Sequence, residues 1–139
     1  MNQNRAIIAL DVGTKRIGVA VADGVVTIAR PLTVVAVDGQ EINKIMEIIS
    51  QEQASRVVIG YPRNQSGEST AQTRLVEAFK GELESVTGID VVFQDESLTS
   101  VIAEDRMRAA GRSYSKGDID TEAATVILQD YLESTHGRV

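Results

Sequence analysis

A chain of 139 residues, 42% hydrophobic and 24% charged, has room for one domain with its own core and an ordinary globular composition. It has no cysteine, which excludes a disulfide scaffold, a thiolate metal site and a cysteine nucleophile and fits a reducing compartment. The net charge of −6 argues against a generic basic coat for nucleic acid. No apolar run approaches the roughly 20 residues of a membrane span, and residues 1–5 lack the layout of a signal peptide, so a cytoplasmic protein is expected.

The chain opens with an apolar run, 5–11, that drives into Asp11. Gly13, Lys15 and Arg16 follow, and a second apolar run covers 16–23. That pattern predicts strand, tight turn, strand, with a carboxylate held at a strand end. Residues 25–37 form a third strand region in which Pro31 predicts an edge position or a bulge. The short turns between these runs imply antiparallel hairpins. A helix is expected over 41–53, with Ile42, Ile45, Met46 and Ile49 on one face. The continuous apolar run 56–60 fits a central parallel strand, and 61–68 a loop. A second helix covers 69–86, with Gln72, Leu75, Phe79, Leu83 and Val86 at helical spacing. A strand over 89–94 ends in Asp95-Glu96, a helix covers 98–110, and 111–118 is a polar loop. The last helix runs over 121–135, with Ala124, Ile127, Leu128 and Tyr131 facing the core. The order implies an α/β fold. It is a mixed five-stranded sheet, three antiparallel strands then two parallel, flanked by helices, in a single domain over 1–139.

Three acids occupy matched places: Asp11 and Glu96 at strand ends, and Asp120 opening the last helix. Strand ends on neighbouring strands lie about 5 Å apart, and a helix docked over that edge would bring the third carboxylate near. Close carboxylates repel, and a hard divalent cation with oxygen ligands is the usual solution. Two such ions serve phosphodiester cleavage. Each acid also has a plainer role. Asp11 before Gly13 suits a turn, Glu96 suits a solvated strand end, and Asp120 suits a helix N-cap. The charge along the chain is uneven. Residues 77–96 hold six acids and one lysine, whereas 97–117 hold Arg106, Arg108, Arg112 and Lys116 against Glu104 and Asp105. The single histidine, His136, lies near the C-terminus, which disfavours a Ser-His-Asp hydrolase. P-loop and Rossmann signatures are missing.

Four segments together resemble the YqgF (RuvX) family. They are Asp11-x-Gly13-x-Lys15-Arg16-Ile17-Gly18-x-Ala20; Val58-Ile59-Gly60-Tyr61-Pro62 with Asn64 and Gly67; Asp95-Glu96-x-Leu98-Thr99-Ser100; and Lys116-Gly117-x-x-Asp120-x-x-Ala123-Ala124. The resemblance implies an RNase H-like fold related to RuvC-type junction resolvases. It implies a metal-dependent endonuclease acting on structured nucleic acid, with 5′-end maturation of pre-16S ribosomal RNA as the expected role and Holliday junction resolution as the other. It assigns catalysis and metal binding to Asp11, Glu96 and Asp120, with Lys116 as a catalytic cation and Mg2+ or Mn2+ as cofactor. Lys15, Arg16, Arg63, Asn64, Arg74, Arg106 and Arg112 are the expected nucleic-acid contacts. The partners would be precursor rRNA or branched DNA and ribosomal particles, met by a monomer or weak homodimer, with no membrane. Ser97 departs from the arginine that many members carry there, and Tyr61 replaces a usual leucine. Two other classes stay open. The opening motif is also similar to the phosphate-binding hairpin of actin-like and sugar-kinase ATPases, and a non-catalytic nucleic-acid-binding domain would share the fold.

Overall fold

The computed structural model describes residues 6–23, 28–62, 70–96 and 116–136. The strands are β1 (Ala6–Val12), β2 (Arg16–Ala22), β3 (Arg30–Ala36), β4 (Ala54–Pro62) and β5 (Asp90–Glu96). The helices are α1 (Glu41–Glu52), α2 (Ala71–Val86) and α3 (Lys116–His136). The sheet order is β3-β2-β1-β4-β5. β1–β2 and β2–β3 pair antiparallel, and β1–β4 and β4–β5 pair parallel. This is the expected mixed five-stranded sheet.

Strand alternation sorts the side chains into two layers. Ile8, Leu10 and Val12 of β1, with Ile17, Val19 and Val21 of β2, pack with Ile45 and Ile49 of α1 and Val76, Phe79 and Leu83 of α2. On the opposite face, Ala9, Ala20, Ala22 and Val58 meet Ala124, Ile127, Leu128 and Leu132 of α3. Large residues therefore face two helices, and small ones let a single helix lie close. The six consecutive residues Ala123–Leu128 are all buried, so the middle of α3 is core on every side.

Several expectations need correction. Tyr61 and Pro62 continue β4 because β5 extends beside them, with Tyr61 opposite Asp95 and Pro62 opposite Glu96. The buried face of α2 is Thr73, Val76, Phe79 and Leu83; Gln72 is exposed and Val86 is 53% exposed. α2 starts after Thr70, whose hydroxyl accepts the Thr73 N–H at 3.2 Å while the Thr73 hydroxyl accepts the Thr70 N–H at 2.8 Å. Lys116, Gly117 and Asp118 belong to α3 rather than to a loop. Pro31 does lie on the edge strand β3, where the β2–β3 register shifts between Val19 and Ala20. The helix expected over 98–110 lies outside the described residues.

A candidate metal and phosphate site at the carboxyl end of the sheet

β1, β4 and β5 run parallel, so their carboxyl ends share one edge, where open α/β sheets commonly bind ligands. Asp11 sits next to the end of β1 and pairs in register with Gly18 of β2. The turn between the strands is closed by the Gly13 N–H, which donates to the Arg16 carbonyl at 2.9 Å. A β-carbon at Gly13 would lie 2.8 Å from that carbonyl oxygen, so the turn needs glycine. The turn is tied outward as well, since the Val37 N–H donates to the Lys15 carbonyl at 3.0 Å.

Gly18 receives α3. The main chain of Asp120 occupies the space where a Gly18 β-carbon would stand. Residues 11 and 18 are cross-strand neighbours, so their side-chain directions share this face, and the approach brings Asp120 to Asp11. Burial of the Asp11 carboxyl, and the charge of Asp120 beside it, push its pKa from 3.8 up to about 7. Asp120 is also held by Arg16, whose Nε donates to Asp120 Oδ2 at 2.8 Å. Because Asp120 lies inside α3, four residues beyond Lys116, the helix N-cap role is excluded.

α2 also touches this edge. Gln72 Nε2 donates to the Val12 carbonyl at 2.9 Å, which fastens the first turn of α2 to the residue after Asp11. The N-terminal turn of α2 thereby lies beside the end of β1.

Glu96 ends β5 opposite Pro62, and its side chain lies outside the described residues. β4 stands between β1 and β5, so these two strands are about 10 Å apart rather than one strand spacing. Lys116 is the first described residue of α3, and its side chain also lies outside the description. Lys15 is exposed in the β1–β2 turn and Arg74 is exposed on α2. Arg63, Asn64, Arg106 and Arg112 lie outside the described residues. Among the described residues no group of three or more His, Cys, Asp or Glu side chains converges as a metal site.

The donor chemistry of the Asp11–Asp120 pair fits a hard divalent cation. Two carboxylates meet on a half-buried surface, and one of them is raised to about 7 by burial and its neighbour's charge. A cation would relieve both penalties. Sequence reasoning missed two residues here. Gly18 admits the helix, and the alternation Gly18-Ala20-Ala22 was its signal. Gln72, read only as one of the helically spaced positions of α2, holds the Val12 carbonyl; a polar residue in the first turn of that helix was the available hint.

Comparison with known proteins agrees with this geometry. The family model described as "RuvX: Holliday junction resolvase" matches residues 5–134. A protein of Chloroflexus aurantiacus named "Putative pre-16S rRNA nuclease" is 41% identical over 135 residues, covering 94% of this chain and 88% of its own. The protein of that name from Salinibacter ruber is 36% identical over 140 residues, covering 97% of each chain. Among solved structures, RuvC of Thermus thermophilus in complex with a Holliday junction aligns with TM-score 0.58 at 14% identity, over 96% of both chains. The Fowlpox virus resolvase with junction DNA aligns with TM-score 0.54 at 14% identity, over 94% of this chain and 98% of its own. These structures share the fold, a RuvC-like sheet flanked by helices, and the extent of the sequence match assigns the chain itself: it belongs to the RuvX family.

Proposed function

We propose that the chain is a single-domain, divalent-metal-dependent endonuclease that hydrolyses phosphodiester bonds in structured nucleic acid and matures the 5′ end of pre-16S rRNA. The observation that carries this reading is the Asp11–Asp120 pair, brought together at the carboxyl end of the central strand in a member of the RuvX family. The name shared by the relatives at 36–41% identity supports the ribosomal substrate. Asp11, Asp120 and Glu96 would hold Mg2+ or Mn2+. When bound, the ion would supply Lewis-acid stabilisation at the scissile phosphate.

The chain's own groups divide the remaining work. Asp11 sits on the central strand, where backbone movement is small, and anchors the site. Arg16 neutralises Asp120. Lys116, at the start of α3, is a mobile point charge suited to the developing negative charge near the phosphate. Lys15, Arg74, Arg63, Asn64, Arg106 and Arg112 would contact backbone phosphates, which position a substrate without reading its bases. None of the described helices is long and apolar enough to cross a membrane, in keeping with a cytoplasmic enzyme that meets precursor rRNA on ribosomal particles as a monomer or weak homodimer.

A second reading, Holliday junction resolution, is favoured by the description of the family model and by the RuvC-like fold. Cleavage of a precursor 16S rRNA fragment and of a four-way DNA junction, measured side by side with Mg2+ and Mn2+, separates the two. Preferential cut at the 5′ precursor boundary of the RNA supports the first; preferential paired nicking of the junction supports the second; no cleavage of either removes both.

A further inference from the structure

Arg16 and Asp120 are 104 residues apart, yet both ends of their ion pair are fixed by backbone contacts. The Arg16 carbonyl accepts the Gly13 N–H at 2.9 Å, and Arg16 pairs with Ala36 across β2–β3. The Asp120 main chain is seated against Gly18. The side chains are 36% and 23% exposed. An ion pair this exposed adds little stability in itself. Its geometry matters more: one oxygen of Asp120, Oδ2, is committed to Arg16 Nε at 2.8 Å.

We infer that Arg16 is a positioning and ion-selecting residue of the metal centre: by occupying one lone pair of Asp120 Oδ2 it orients the carboxylate and favours coordination of a cation through the other oxygen alone. The inference rests on the metal-dependent reading above. Calcium takes six to eight oxygens, often two from one carboxylate, whereas magnesium takes near-octahedral sites with one oxygen per ligand. Manganese also accepts octahedral oxygen sites. A carboxylate with one oxygen already engaged therefore suits the smaller ions and handicaps calcium. Hydrogen-bonded partners of metal ligands commonly have this orienting effect.

A plain counter-ion role would act differently. Removing the positive charge of Arg16 strengthens the attraction for every divalent ion alike, since all carry the same charge. The ratio of affinities separates the two roles, and single affinities do not.

The test is calorimetric titration of the full-length metal-free protein with Mn2+ and with Ca2+, for wild type, Arg16→Met and Arg16→Lys. Methionine keeps the apolar stem and removes the donor and the charge; lysine keeps both charge and donor. The wild type is expected to prefer Mn2+. In Arg16→Met the preference should shift toward Ca2+ by roughly tenfold, the lower end of what an outer partner contributes to metal affinity, and Arg16→Lys should lie nearer the wild type. If Arg16→Met fails to fold, Arg16→Ala gives the same comparison. An unchanged Mn2+/Ca2+ ratio in the donor-free variant overturns the inference, whatever the separate affinities do. A wild type that binds neither ion overturns instead the metal-dependent reading on which it rests.

Discussion

The main-chain carbonyl of Asp120 sits in the space that a β-carbon on Gly18 would fill. This contact sets the distance between α3 and β2, and with it the distance between Asp120 and Asp11, the register partner of Gly18. Gly18→Ala should force α3 outward, because the obstructing atoms are backbone and cannot rotate away. The expected cost is about 1–3 kcal/mol, the range for overpacking, together with a loss of nuclease activity. Urea unfolding and cleavage assays check both; an alanine variant with wild-type stability would mean that α3 is not seated on β2 in this way.

Asp11→Asn should make stability depend on pH in a defined direction. Well below pH 3.8 the carboxyl is protonated in folded and unfolded chains alike, and the wild type carries no penalty. As pH rises the unfolded chain loses its proton first, while the folded carboxyl holds its proton up to about 7. Wild-type stability therefore falls across that window and levels off above it. Asparagine removes the effect. Its advantage in metal-free buffer should be about 0.5 kcal/mol at pH 4 and grow to at most about 4 kcal/mol above pH 7. Thermal melts at pH 4, 6 and 8 measure it, and a constant difference across that range would contradict the buried, charge-repelled state of Asp11.

Asp120→Asn removes the charge and leaves Asp11 buried. Burial is the larger cause of the Asp11 shift and the Asp120 charge the smaller. The Asp11 pKa should fall in the variant yet remain above 3.8. Carboxyl-carbon NMR titration of the two proteins reads this directly. A return of Asp11 to its ordinary value would make the neighbouring charge, not burial, the dominant cause.

The far end of α3 is held by a different device. Arg56 Nη1 donates to the Tyr131 hydroxyl at 2.6 Å, and Nη2 to Asp90 Oδ2 at 3.0 Å. Tyr131→Phe deletes the first bond and should cost about 1–2 kcal/mol, as expected for a hydrogen bond to a charged group, without changing turnover at saturating substrate. Asp90 is 69% exposed in this pair, so Asp90→Ala should have a much smaller effect. A large loss of turnover in Tyr131→Phe would show that the C-terminal half of α3 controls the site.

Much of this arrangement was legible in the chain. Ile8-x-Leu10-x-Val12 alternating with Ala9 and Asp11, and Ile17-x-Val19-x-Val21 alternating with Gly18, Ala20 and Ala22, mark two faces of unequal side-chain size. The apolar runs and short turns gave the mixed five-stranded sheet and the end-of-strand place of Asp11; the strand order β3-β2-β1-β4-β5 is set by pairings far apart in the chain. Asp120 was misplaced relative to its helix for a physical reason. Ser115, Gly117 and Asp118 have weak intrinsic helix preference and suggest a loop. Yet 116–120 is helical where α3 packs against β2, an instance of tertiary contact overriding propensity. The loop expected over 61–68 starts later for a similar reason: Pro62 tolerates the last position of β4, where it pairs in register with Glu96. The Arg16–Asp120 pair spans 104 residues and has no local signature at all.

The most direct test is Mg2+-dependent cleavage of a precursor 16S rRNA fragment by folded wild type, Asp11→Asn and Asp120→Asn, at saturating substrate and equal protein concentration. The wild type should cut at the 5′ precursor boundary and lose the activity in chelator. Each variant should be slower by on the order of a hundredfold or more, the scale of losing one electrostatic stabiliser of a transition state. Wild-type cleavage by folded Asp11→Asn protein would contradict the carboxylate site as the seat of the chemistry.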